Sequence, residues 1–205
     1  LDLQVGRILD ALAKSPHAAN TIVVYAADSG VSRGAHGLIG KQNLYEESIR
    51  VPLIISGPGI AKGKRTGAMC YLFDVLPSLG ELCGVKGPGT SEGASLAPIL
   101  KQGDGPGRPR LAFGYRKVQR ALRDGPWKLI RYPEVNQTQL FNLDNDPHEM
   151  SNLADNPAHS GRVREMMSAL AADLKAFGDT ASLTVENPKP AAWFPPRPRR
   201  GGMNP

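Results

Sequence analysis

Cysteine is almost absent from this chain: there are two in 205 residues, Cys70 and Cys83, separated by a dozen positions. Such a pair gives no disulfide framework. With neither a C-x-x-C spacing nor a histidine-rich partner segment, it gives no metal site either. Both are read as buried thiols. Long apolar runs are also missing, so no segment is fit to span a bilayer. No recognised nucleic-acid-binding module accompanies the net charge of +6 and the pI near 9.5. The cations are scattered apart from Arg197-Pro198-Arg199-Arg200, which argues against nucleic acid as a partner. A basic surface remains, either simply solvated or steering anionic substrates.

At 40% hydrophobic and 21% charged residues, the chain has the composition of one globular domain, or of a partial domain with a small companion. Leu3, Val5, Ile8, Leu9 and Leu12 recur at helical spacing and predict an amphipathic helix ending near Ser15-Pro16. The apolar, β-branched run Thr21-Ile22-Val23-Val24-Tyr25-Ala26 reads as a buried parallel strand, and Val51 to Ser56, closed by Gly57-Pro58-Gly59, as a second strand. Asp74 to Cys83 predict a helix with Asp74 near its N-terminus. A Gly/Pro-rich connection from Gly84 to Arg110 follows and marks a boundary.

Beyond it, Leu111 to Tyr115, Gln119 to Arg123, Trp127 to Tyr132 and Gln139 to Leu143 read as short strands of a small antiparallel sheet, joined by turns such as Asp124-Gly125-Pro126. Val163, Met166, Met167, Leu170, Leu174 and Phe177 have helical spacing, so this helix is expected to pack on that sheet, its methionines in the core. After Gly178, a tail with Pro195-Pro196 and Gly201-Gly202 reads as irregular or disordered. Asn136-Gln137-Thr138 satisfies the glycosylation sequon.

Chemistry concentrates in one stretch. Asp28-Ser29-Gly30 follows the first strand, then come His36-Gly37 and Gly40-Lys41-Gln42-Asn43-Leu44-Tyr45-Glu46-Glu47-Ser48-Ile49-Arg50-Val51-Pro52. A carboxylate at a strand's carboxyl end suits a hard divalent cation, and a nearby ammonium neutralises a tetrahedral oxyanion ester. Taken alone, Asp28-Ser29-Gly30 reads as a plain turn after a strand. His36 is open between two readings: a donor to a bound oxygen, or a loop histidine bonded to backbone. Glu46 and Arg50 are read as bracing the loop, and Gly30, Gly37 and Gly40 as permitting its geometry.

The run from Thr21 to Gly59 resembles the arylsulfatase-type sulfatases of the alkaline phosphatase superfamily. A second block is similar to their C-terminal subdomain: Tyr115 to Gly125, Trp127 to Tyr132, Gln139 to Leu143, Asp146-Pro147-His148-Glu149 and Asn152-Leu153. With Phe73-Asp74-Val75-Leu76-Pro77, the resemblance covers most of the chain. It implies an α/β fold: the C-terminal part of an alkaline-phosphatase-like sheet sandwiched by helices over residues 1–108, an antiparallel sheet with one helix over 109–178, and an irregular tail over 179–205.

The resemblance also implies sulfate-ester hydrolysis in the intact protein, on an aryl or carbohydrate sulfate. Asp28 and Ser29 become ligands of a divalent metal, Ca2+ above all, and Lys41 and His36 become contacts to the sulfate. Ser29 stands where the family usually has His or Asn, and a hydroxyl is a shorter, weaker donor. The family's nucleophile is a formylglycine made from Cys or Ser in a Cys/Ser-x-Pro/Ala-x-Arg motif, which neither Cys70 nor Cys83 fits. That nucleophile is therefore expected upstream, and Leu1 in place of Met agrees with a C-terminal piece.

A formylglycine-generating enzyme is the implied partner, and a periplasmic or secreted location the implied compartment. Alternatives from the same resemblance are a phosphodiesterase or phosphonate monoester hydrolase, a non-catalytic binder of sulfated glycans, and an inactive fragment. Isolated strand-helix units with unpaired edges and exposed apolar faces predict poor solubility and little activity for the piece alone.

Overall fold

The computed structural model describes residues 1–191; the expectations for Pro195-Pro196, the basic run from Arg197 and Gly201-Gly202 lie outside them. The first helix, α1 (Asp2–Ala13), forms where the apolar spacing predicts, but it buries none of its residues. It leads to β1 (Val23–Ala26), which pairs with β4 (Leu53–Ser56) as a two-stranded antiparallel ribbon, Val23 opposite Ser56 and Ala26 opposite Leu53. The expectation of a buried parallel strand is thus corrected: β1 is only partly covered and its neighbour runs the other way. An apolar run reports a strand's environment but not the direction of its partner, which the returning chain sets.

Between these strands, β2 (Ser32–Arg33) and β3 (Ile39–Gly40) make a miniature hairpin, and α2 (Glu46–Ile49) is a single turn. Then comes α3 (Val75–Cys83), with Asp74 at its N-cap position. The Gly84 to Arg110 connection carries a helix the composition hid, α4 (Ala97–Gln102), ended by Gly103 at a left-handed φ of 86°. Cys70 is half-buried and Cys83 exposed, both free, so the expectation of two buried thiols fails for Cys83, at the last position of α3. No described helix is long and apolar enough to cross a membrane.

The centre of the molecule is a four-stranded antiparallel meander, β5 (Arg110–Tyr115), β6 (Gln119–Asp124), β7 (Trp127–Tyr132) and β8 (Gln137–Asn142). Gly125 at φ 53° makes the tight turn between β6 and β7. Adjacent apolar residues on three strands point to opposite faces. Leu122, Leu129 and Leu140 meet Met166, Leu170 and Leu174 of α5 (Ser160–Ala176) on one face. Ala121, Ile130 and Phe141 meet Leu44 and Tyr45 on the other. Covering both faces is unusual for an antiparallel sheet. Here the second cover comes from the segment just before α2, far upstream in sequence, and each such aliphatic side chain removed from water contributes about 1.5–3 kcal/mol.

The described tail is irregular, as expected, but docked. Leu183 packs on the α5 face, its carbonyl accepts from Arg131 Nε at 2.7 Å, and Asn136 bonds the Val185 backbone through both side-chain atoms. The sequon asparagine therefore has its amide nitrogen already engaged.

Asp74 ties the connection to α3. Its buried carboxylate accepts from the backbone N–H of Tyr71 and Ala94 and from Arg108 Nε, each at 2.8 Å. Burial pushes the Asp74 carboxyl up, but the Arg108 guanidinium and the two backbone donors outweigh it and hold the pKa below its ordinary value. A depressed folded pKa gives stability that is present above the unfolded value of about 3.9 and is lost as pH falls through the lower folded value. Asp74→Asn in the complete protein is therefore expected to cost on the order of 3 kcal/mol at pH 7. The gap to the parent should close below about pH 4 in urea unfolding; a gap indifferent to pH would refute the role of the charge.

Candidate functional site

The loop between β1 and β4 carries every candidate residue. Asp28 stands two residues past the end of β1, and the β2–β3 hairpin turns the chain so that Lys41, directly after β3, comes back beside it. Lys41 Nζ lies 3.9 Å from Asp28 Oδ1, and Ser29 Oγ donates to the same oxygen at 3.3 Å. The two charged side chains are 89% (Asp28) and 60% (Lys41) exposed. An ion pair so exposed contributes at most about 1 kcal/mol to stability, so the loop's internal bonding rather than this pair holds the two together.

Three buried polar side chains do that work: Asn43 Nδ2 donates to Ser32 Oγ at 3.0 Å, Ser32 Oγ lies 3.3 Å from Ser48 Oγ, and Asn43 Oδ1 accepts from the Tyr45 N–H at 3.1 Å. The Gly30 N–H donates to the Ser48 carbonyl at 3.0 Å, which joins the Asp28-Ser29 segment to α2. A Cβ on Gly30 would stand 1.9 Å from the Glu47 carbonyl oxygen, so only glycine permits this approach. Gly37 (φ 69°) and Gly40 (φ 120°) occupy left-handed conformations in the hairpin. All three glycines thus permit loop geometry, as read from the sequence.

His36 is not in the Asp28–Lys41 cluster. It is held at φ 54°, and its ring stacks on Tyr45 with centroids 3.7 Å apart and planes 6° from parallel. This aromatic contact sets the place of the ring, and sequence inspection has no signal for that pairing. Tyr45 in turn donates its hydroxyl to Gln139 Oε1 at 2.8 Å. Glu46 braces the loop as read, accepting from Lys128 Nζ at 3.0 Å and Arg123 Nη1 at 3.3 Å. Arg50 does not: it is exposed, with no side-chain partner among the described residues.

Asp28 and Ser29 offer hard oxygen donors, the right kind for calcium, but calcium takes roughly six to eight oxygens. Among the described residues no three His, Cys, Asp or Glu side chains converge on one point. The donor chemistry fits the ion and the donor number does not, so these residues fit as part of a ligand set. A separate groove of about 430 Å³, lined by Met69, Asp104, Arg108, Arg123 and Asp144 among others, excludes them all. Its arginines are already engaged by Asp74 and Glu46.

Residues 34–176 match the family N-sulphoglucosamine sulphohydrolase, C-terminal. The chain belongs to the sulfatase family. It is similar to the N-acetylglucosamine-6-O-sulfatase of Bacteroides thetaiotaomicron, at 32% identity over 87% of the chain and 34% of the relative. It is similar also to the choline-sulfatase of Rhizobium meliloti, at 35% over 77% of the chain and 31% of the relative. Among solved structures, one in complex with its substrate D-glucosamine-2-N,6-O-disulfate superposes with a TM-score of 0.80, at 30% identity, over 87% of the chain and 39% of that protein. The chain spans roughly a third of the length of these relatives.

Gly30→Ala is expected to push the Asp28-Ser29 segment off α2, at a cost of about 1–3 kcal/mol from overpacking. Thermal unfolding of the complete protein would register this as a lowered midpoint; an unchanged midpoint would mean the approach to Glu47 is not tight.

Proposed function

We propose that this chain supplies the metal-carboxylate and oxyanion-lysine portion of a sulfuric ester hydrolase acting on a carbohydrate or aryl sulfate. The observation that carries the reading is the meeting of Asp28 and Lys41 at 3.9 Å across a hairpin, both side chains open to solvent. Membership of the sulfatase family supports it. In this reading Asp28, aided by Ser29 Oγ, holds a divalent cation, calcium by family resemblance. Such an ion, when bound, supplies positive charge to the sulfate oxygens. Lys41 neutralises the charge that grows on those oxygens as the ester bond breaks, which is useful only where a donor waits preorganised. His36, fixed flat against Tyr45, lines the approach to them. The nucleophile, a formylglycine made by a generating enzyme, is assigned to the part of the relatives that this chain does not span.

The test is sulfate release by the complete protein, co-produced with a formylglycine-generating enzyme, from aryl and glucosamine sulfates with added calcium. Lys41→Ala is expected to lower kcat by about 100-fold or more, the scale seen when one oxyanion donor is removed. Asp28→Ala should abolish calcium-dependent turnover, and Ser29→Asn, whose amide oxygen reaches further, should tighten calcium binding. Absence of sulfate release from a folded protein whose formylglycine is verified by mass spectrometry would refute the hydrolase reading and favour a non-catalytic glycan binder.

A further inference from the structure

Arg123 of β6 and Lys128 of β7 are directly opposed partners in the sheet. Like charges so placed repel, and Lys128 is fully buried. An anion is required between them, and it comes from outside the sheet: Glu46 Oε1 meets Lys128 Nζ at 3.0 Å and Glu46 Oε2 meets Arg123 Nη1 at 3.3 Å. Glu149 completes the group. Its carboxylate, 2% exposed, lies 2.7 Å from Lys128 Nζ through Oε1, close in distance but without hydrogen-bond alignment, while Oε2 accepts the Glu46 N–H at 2.7 Å. Two cations and two anions thus close into a neutral set around the first residue of α2.

Glu149 is held for this contact. It sits at φ 56°, a conformation costly for a side chain with a Cβ. The turn that fixes it is the Asp146-Pro147-His148-Glu149 motif: the Glu149 N–H donates to the Asp146 carbonyl at 3.1 Å, and the Asp146 carboxylate accepts from the N–H groups of Met150 and Ser151. From Glu46 the constraint runs outward through Ser48 to Ser32 and Gly30, and through Tyr45 to His36.

We propose that Lys128 and Glu149 are positioning residues: by gripping both the side chain and the N–H of Glu46, they set where the loop carrying Asp28 and Lys41 stands. The inference rests on the hydrolase reading for its catalytic consequence, but not for its structural one. It assigns the Asp-Pro-x-Glu turn a role at the distant loop rather than within its own sheet.

A charge-balanced pair of changes separates positioning from mere stability. Lys128→Met alone leaves Glu149 buried without its cation and should lower the melting temperature. Lys128→Met combined with Glu149→Gln removes one charge of each sign and should recover most of that loss. In the double variant of the complete protein, hydrogen–deuterium exchange of residues 30–48 is expected to rise about tenfold or more, as a charge-assisted bond is lost there, with β6 to β8 still protected. Sulfate release should stay about 100-fold down, the scale of a small misplacement of reacting groups. A double variant that regains stability and keeps the parent's loop protection would overturn the proposal. The exchange result stands whether or not the parent hydrolyses sulfate esters, so failure of the hydrolase reading and failure of this one are distinguishable.

Discussion

Two cations opposed on neighbouring strands, with one of them wholly cut off from water, form the constraint around which the molecule is arranged. Desolvating an ammonium costs several kcal/mol unless anions compensate it, and the sheet has none of its own at that spot. Glu46 and Glu149 arrive from opposite directions along the chain, one from the loop before β4 and one from the turn after β8. The loop with the exposed Asp28–Lys41 pair is therefore bound to the antiparallel sheet by electrostatic necessity as well as by the packing of Leu44 and Tyr45 on Phe141 and Ile130.

That arrangement divides labour between rigidity and openness. Ser32, Asn43 and Ser48 are buried and bonded to one another, while Asp28 and Lys41 a few residues away remain exposed. Polar groups that share their bonds internally have none to spare for a ligand; groups left in solvent do. Under the proposed function, a loop that presents two opposite charges to an ester and a cation benefits from this order, because the presented groups reorganise little when they engage. The uncovered apolar residues of α1, with Ile8 and Leu9 exposed, and Ile54 of β4 are different: they are surfaces of the α/β layer that nothing among the described residues covers.

Much of this was legible beforehand. The four strands were readable because short strand-forming runs end in turn signals, and α5 because its apolar residues recur at helical spacing. Asp28 and Lys41 were readable from motif order, and they do converge. Other features had no such mark. The antiparallel partner of β1 depends on how the chain returns. The helix α4 is hidden among glycines and prolines. The stack of His36 on Tyr45 and the docking of Leu183 each join segments whose sequence distance carries no information about contact.

The sequence by itself determined the principal strands and the two longer helices, the sulfatase resemblance and the identity of the exposed charged pair, because these follow from local periodicity and from residue order along a single stretch. Only the tertiary structure decided that Lys128 would be buried, that Glu46 and Glu149 would meet on it, and that the far face of the sheet would be covered by residues preceding α2. Burial and charge pairing are properties of what surrounds a side chain in space, and a lysine in a strand reads the same whether solvent or two carboxylates lie above it.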